Sequence, residues 1–367
     1  MMAVGQRSLP PTLWTEKIAW LQLIRSPGIG PIRFWRLLER FGSVDKALES
    51  VSTYLHKRQL QLASLEDIEA EISKTDRQQA RYIFYGAPEY PPMLYQIEDA
   101  PPVLVQRGQQ SGSTTSRAVA IVGARTASLQ GQKFAESLSK GLGESGVIVV
   151  SGLARGIDAA AHRGALSTGT IAFIAGGIDT VYPIENRELY QQICENGCIL
   201  TEFAIGTQPQ PTHFARRNRL ISGCSAAVAI IEAAPKSGSL ITAQYALAQG
   251  REVFAVPGHP YDIRYRGCNQ LLRDGAHWLE SPLDILEHLG ADRTQPTLTA
   301  EQPLAQRPLS DSNLRVTIQT ALSTTPTDID TLVRALPHTA SEIFETLSEL
   351  ELLGLINRNG TRVSLMS

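Results

Sequence analysis

Between Arg117 and Leu289 the chain repeats one unit: a short, mostly apolar run, a glycine-bearing turn, then a helical stretch. The runs are Ala118–Val122, Val147–Val150, Thr170–Ile174, Cys198–Leu200, Ala226–Ile231 and Glu252–Ala255. The helical stretches between and after them cover 130–142, 157–166, 186–195, 214–221, 240–249 and 269–273. A strand without a polar alternate face must be covered on both sides. Such strands alternating with helices predict an α/β fold, a Rossmann-like doubly wound, mostly parallel sheet. Ligands of such sheets bind beyond the carboxyl ends of the strands. This sequence places its unusual residues there: Gly123 and Arg125; Gly152, Arg155 and Gly156; Gly176 and Gly177; Lys236–Ser239; Gly258.

The stretch Ile230–Leu247 concentrates the signal. A buried strand leads into Lys236-Ser237-Gly238-Ser239 and a helix predicted from Leu240. The free N–H groups and dipole of a helix N-terminus seat an anion, phosphate above all. Lys236 and the hydroxyls of Ser237, Ser239 and Thr242 would strengthen that seat. The competing reading is purely local: Ser239 caps a helix and Gly238 permits a turn.

The flanks differ in texture. A length of 367 residues suits two or three domains at one per ~150 residues. The predicted division is 1–86 helical, 87–290 Rossmann-like, 291–312 linker and 313–367 winged helix. Near the start, Pro27-Gly28-Ile29-Gly30-Pro31 separates two helical patterns, as in a helix-hairpin-helix (SAM-like) domain whose glycines let backbone N–H groups approach a DNA phosphate. A plain helical turn in a protein-contact domain explains the pattern equally. Residues 55–85 read as polar helices, 87–108 as a proline-rich bridge, 109–116 as a Gly/Ser/Thr loop and 290–312 as a linker. At the end, three helices (315–322, 329–336, 340–353) precede a hairpin signalled by Asn359-Gly360. The presumed recognition helix carries Glu342, Glu345, Glu349 and Glu351 but no Lys or Arg, which favours protein contact over groove reading.

Net charge is −2, so nucleic-acid binding requires a local basic patch. Cys194, Cys198, Cys224 and Cys268 form no C-x-x-C pair and read as reduced residues of a cytoplasmic protein. No signal peptide or membrane span is predicted. The first strand end lacks G-x-G-x-x-G, and no Walker sequence exists, so neither a dinucleotide cofactor nor a P-loop nucleotide is expected. Asp158 and His162 share a helix face, a spacing that reads as a structural pair. No activated nucleophile or metal cluster is evident. A polyanion groove fits better. Phe214-Ala215-Arg216-Arg217-Asn218-Arg219 is rich in arginine beside an aromatic ring, and Arg125, Arg264, Arg266 and Lys236 sit at strand ends. Phe214 either stacks a base or belongs to the core. The arginines either meet phosphates or form ion pairs.

These residues resemble the DprA (Smf) family of DNA-processing proteins. The resemblance rests on Tyr90-Pro91 through Gly108; Ile121-Val122-Gly123-Ala124-Arg125; Ser151-Gly152-Leu153-Ala154-Arg155-Gly156-Ile157-Asp158 with His162; Gly176-Gly177-Ile178-Asp179 with Tyr182-Pro183 and Asn186; Phe214 with Arg217-Asn218-Arg219-Leu220-Ile221-Ser222-Gly223; Ser237-Gly238-Ser239-Leu240-Ile241-Thr242-Ala243; Ala255-Val256-Pro257-Gly258; and Asn269 through Ala276. It implies a non-catalytic, cofactor-free protein that binds and protects incoming single-stranded DNA in natural transformation. It also implies loading of the RecA recombinase, help in displacing single-strand-binding protein, and assembly as a homodimer. Carried over by position, Arg125, Phe214, Arg217, Asn218, Lys236, Ser237, Gly238 and Ser239 would contact DNA. Gly123, Ser128 and Asn269 complete the candidate phosphate-binding set. Two departures stand out. Ala124 replaces the usual Ser of the first loop, and residues 208–213 carry no Lys or Arg, only His213. The alternative is a nucleotide phosphoribohydrolase-like enzyme on the same sheet, although its P-G-G-x-G-T-x-x-E run is absent.

Overall fold

A computed structural model describes residues 10–56, 61–109, 117–290, 312–322, 327–336, 338–353, 355–359 and 362–365. The sequence expectations for 110–116, for the linker at 291–311 and for Gly360 of the terminal turn lie outside the described residues. The chain divides into two compact units, Met1–Ala291 and Asp292–Ser367.

In the first unit, helices α1 (Trp14–Arg25), α2 (Pro31–Phe41), α3 (Val44–His56) and α4 (Leu65–Arg77) precede strands β1 (Ala80–Phe84), β2 (Val103–Gly108) and β3 (Ala118–Gly123). The winding then runs α5 (Leu129–Glu144), β4 (Ile148–Ser151), α6 (Ile157–Ala165), β5 (Thr170–Phe173), α7 (Arg187–Asn196), β6 (Cys198–Thr201) and α8 (Pro211–Gly223). It closes with β7 (Ala227–Ile231), α9 (Gly238–Ala248), β8 (Glu252–Ala255), α10 (Arg266–Arg273), β9 (His277–Trp278) and α11 (Pro282–His288). The nine strands form one sheet in the order β1-β2-β6-β5-β4-β3-β7-β8-β9. From β3 the chain winds outward through β4, β5 and β6, then returns to the other side of β3 with β7. The topological switch point therefore lies between β3 and β7, whose parallel register pairs Gly123 with Ile231.

Both faces of the sheet are buried because alternate side chains of each strand feed opposite cores. On β3, Val119 and Ile121 pack with Leu138 and Leu142 of α5 and Ala160 and Ala161 of α6. Ala118, Ala120 and Val122 pack in the other core with Leu220 of α8, Ala243 of α9 and the N-terminal helices. At about 25 cal/mol per Å² of apolar surface, each such Val or Ile contributes roughly 1.5–3 kcal/mol.

One reading from sequence changes. Residues 80–84, read as the tail of polar helices, are a strand that pairs antiparallel with β2, itself drawn from the proline-rich bridge. The cause is a half-buried edge. Ile83 and Phe84 enter the core, while Arg81 and Tyr82 remain partly exposed and gave the segment its polar look. The N-terminal helices also share a continuous core with the sheet: Trp20, Phe34 and Trp35 cluster edge-to-face, and the Trp35 ring N–H donates to the Ala100 carbonyl at 2.8 Å.

The second unit holds α12 (Ser312–Ala321), β10 (Thr327–Asp328), α13 (Ile329–Ala335), α14 (Ala340–Leu352), β11 (Ile356–Asn359) and β12 (Arg362–Leu365), the strands in the order β10-β12-β11. This is a winged helix. Its core contains Ile318, Leu332, Ile343 and Leu347.

Candidate nucleic-acid interface

The loop after β3 carries Arg125 to the surface. Its position is set from below by Gly156, which opens α6 at φ +74°. A Cβ there would lie 2.2 Å from the Ala124 carbonyl oxygen, so only glycine allows the two loops to touch. The Ile157 N–H donates to that same carbonyl at 3.2 Å. Held so, the Arg125 guanidinium lies over the Phe214 ring, 4.9 Å from its centroid. The Tyr182 ring meets Phe214 at 5.5 Å. Tyr182 was absent from the candidate set, although the Tyr182-Pro183 motif pointed at it. Arg155, exposed at the end of β4 and 3.5 Å from Glu185, lines the same cleft.

Lys236 stands exposed at φ +63° in the turn after β7, with Gly238 open to solvent beside it. Helix α9 begins at Gly238, two residues before the predicted start, and its N-cap is Ser237. No side chain caps it: the Ser237 hydroxyl lies 2.8 Å from that of Ser239. Asn218 donates to the Gly238 carbonyl at 3.2 Å and so ties α8, which bears Phe214, to this turn. Arg125, Phe214, Asn218, Lys236, Ser237 and Gly238 thus line the carboxyl-end rim of the strands around the switch point. Ser239 is largely buried, and Thr242 is fully buried and does not reach the rim.

Other expected contacts are used by the protein itself. Arg217 is 3 % exposed; its Nη1 donates to the carbonyls of Gly152 and, at 2.9 Å, Phe173. Burial pushes this guanidinium down to about 10, against the opposing pull of Asp158. Arg217 is therefore the floor beneath Phe214, 6.0 Å from its ring. The hydroxyl of Ser128 bonds Glu232, and its backbone N–H donates to the same carboxylate at 2.8 Å. Asn269 clamps Gly258 in both directions, accepting from its N–H at 3.1 Å and donating to its carbonyl at 2.8 Å. Gly123 is required by the neighbouring strand: a Cβ would fall 1.8 Å from the Ile231 carbonyl oxygen. Arg216 and Arg219 converge on Glu202, Arg219 also meeting Asp99 at 3.2 Å, and Arg264 pairs with Asp262 at 2.6 Å. His213 stacks on Phe203 at 4.4 Å instead of serving the rim. Asp158 and His162 do not pair: Asp158 faces the Ala154 N–H at 3.4 Å, and His162 Nδ1 lies 2.8 Å from the Thr170 hydroxyl.

The cleft bordered by Arg125, Arg155, Tyr182, Phe214 and Arg217 encloses only about 20 Å³. Small-molecule substrate pockets run to hundreds of Å³. The cleft therefore lacks the room of such a pocket. Among the described residues, no three His, Cys, Asp or Glu side chains gather as a metal donor set. Burial raises the thiols of Cys194 and Cys268 to about 11 and that of Cys198 to about 12, which keeps them protonated. No helix among the described residues is long and apolar enough to cross a membrane.

Comparison with known proteins agrees with this architecture. Residues 81–290 match the family model of DNA recombination-mediator protein A, 15–73 that of the DprA-like N-terminal HHH domain, and 300–360 that of the DprA winged helix domain. Protein Smf of Synechocystis is 32 % identical over 94 % of this chain and 97 % of its own. The X-ray structure of DprA from Streptococcus pneumoniae superposes with a TM-score of 0.64 at 31 % identity, covering 74 % of this chain and 97 % of that one. DprA from Helicobacter pylori, whose structure describes a single-stranded DNA binding mode, superposes with a TM-score of 0.53 at 29 % identity over 57 % of this chain and 95 % of that one. The chain belongs to the DNA recombination-mediator protein A family, DprA or Smf.

Proposed function

We propose that this chain binds single-stranded DNA along the carboxyl-end rim of its sheet, as a non-catalytic cytoplasmic protein of transformation and recombination. The observation that carries the reading is Arg125 held over Phe214, with Tyr182 beside it and the uncapped Lys236–Gly238 turn on the same rim. Guanidinium and ammonium groups meet phosphates, and aromatic faces stack bases without sequence preference, at about 1–3 kcal/mol per base. Arg125, Phe214, Asn218, Lys236, Ser237 and Gly238 are the contacts. Arg217 supports Phe214 from below. The relative from Helicobacter pylori, described as a single-stranded DNA binder, supports this assignment.

The finer role is delivery of that strand to RecA with displacement of single-strand-binding protein, by a homodimer. Trp278 of the edge strand β9 and Leu283 of the following helix α11, both more than half exposed, offer apolar surface for a second copy. RecA-dependent strand exchange on DNA coated with single-strand-binding protein tests the delivery step: stimulation by this chain is expected, and no stimulation refutes it. The enzymatic alternative loses ground to the small cleft volume and to Glu232, whose carboxylate takes the α5 N-terminus where a nucleotide phosphate would sit.

A further inference from the structure

A second groove lies on the opposite side of α8 from the cleft under Arg125. Its volume is about 910 Å³, and α2 forms its other wall. Arg33, Arg36 and Arg40 line it from α2 at helical spacing. All three are exposed; Arg33 also donates to the Gly28 carbonyl at 3.1 Å. The half-buried rings of Phe41 and Tyr245 line the same space, as does Gly30 of the helix-hairpin-helix turn, with nothing near its Cα face. The one carboxylate in the wall, Asp99, is held by Arg219. Like charges one turn apart repel, so an arginine stripe costs the free protein something that an anionic ligand relieves. Three guanidinium groups and two aromatic rings in one groove match the chemistry of a single-stranded nucleic acid: charge along the backbone, flat rings for bases.

We infer that this groove is a second subsite for the backbone of the same single strand, reached across the N-terminal half of α8. The inference rests on the proposed rim. Helix α8 joins the two: Thr212, Ala215 and Arg216 face the groove, whereas Phe214 and Arg217 face the cleft. From Arg33 to Arg40 the helix rises about 10 Å, the length of roughly three stacked nucleotides. A strand long enough to leave the rim and pass α8 meets the stripe; a short one stays on the rim.

The test is fluorescence anisotropy of the full chain with labelled oligo-dT strands of about 8 and about 25 nucleotides, bracketing ordinary site sizes. The double variant R36A/R40A is compared with wild type, with R125A and with R36K/R40K. The groove variant should weaken the long strand about five- to tenfold, with far less effect on the short one. Its salt slope on the long strand should fall by about 1.4. The lysine pair should restore both, and melting curves check that each variant is folded. Equal loss at both lengths, or loss at neither, overturns the subsite while R125A still weakens both strands. If the wild type binds neither strand, the rim itself is refuted and the groove with it.

Discussion

Glu232 and Ser128, 104 residues apart, meet at the start of α5, where the Ser128 N–H donates to the Glu232 carboxylate at 2.8 Å and its hydroxyl donates to the other oxygen. The Ser128 hydroxyl also caps the helix, accepting from the Gly131 N–H at 2.9 Å. In a dinucleotide-binding sheet this first helix N-terminus receives the pyrophosphate. Here a carboxylate of the protein fills the position and ties the residue that follows the Arg125 loop to the end of β7; the proposed anion-binding role falls to the rim outside.

The first prediction follows from that relationship. Glu232→Gln replaces a charged acceptor of two Ser128 donors and should lower stability by about 1–3 kcal/mol. Combining it with Ser128→Ala should cost less than the sum of the single changes, because both remove one network. Urea unfolding of the four proteins measures the coupling; strict additivity would mean that the pair is not a unit.

Arg217 gives the second. Its removal leaves Asp158 buried with its charge uncompensated, and burial already raises the Asp158 carboxyl above its ordinary value. Arg217→Ala should cost about 3–5 kcal/mol, far more than Arg125→Ala at the exposed rim. A loss below about 1 kcal/mol in thermal melting would place Arg217 among the free DNA contacts after all.

The third concerns pH. Burial, with Arg217 and Arg163 nearby, lowers His162 to about 3 from an ordinary 6.5. The folded state therefore keeps His162 neutral while the unfolded chain protonates it. Stability should be full above pH 6.5 and fall as pH drops through 6.5 toward 3, by up to about 1.4 kcal/mol per pH unit from this one group. In His162→Gln the acid limb should flatten by about one proton. An unchanged limb would show that His162 takes up its proton in the fold as readily as in the unfolded chain.

The fourth concerns assembly. Trp278→Glu at the β9 edge should convert a dimer to a monomer in light scattering at micromolar concentration. A wild-type monomer would refute the proposed homodimer, and a variant that remains dimeric would place the interface elsewhere.

Much of this fold was legible. Apolar runs such as Ala118–Val122 have no polar face to show, and glycines at strand ends marked where loops approach closely. The placement of Arg125 and Lys236 just beyond strand ends was legible for the same reason. The partners of charged residues were not. Arg219 finds Asp99 across the fold, and Arg216 finds Glu202. Nothing in a run of three arginines tells a phosphate contact from an ion pair whose carboxylate arrives from another strand end. Strand β1 was hidden because a half-buried edge strand carrying Arg81 and Tyr82 alternates too weakly to separate from a polar helix. The interior roles of Gly123 and Asn269 were equally invisible, since each answers to a backbone atom supplied by another element.

The most direct measurement is fluorescence anisotropy of a labelled oligo-dT strand against its duplex, at two salt concentrations, with wild type and Arg125→Ala. The single strand should bind more tightly than the duplex, and binding should weaken with salt. The salt slope should be about 0.7 shallower once Arg125 is gone. Equal affinity and equal salt slope for wild type and Arg125→Ala, or no binding to the single strand, would contradict the proposed rim.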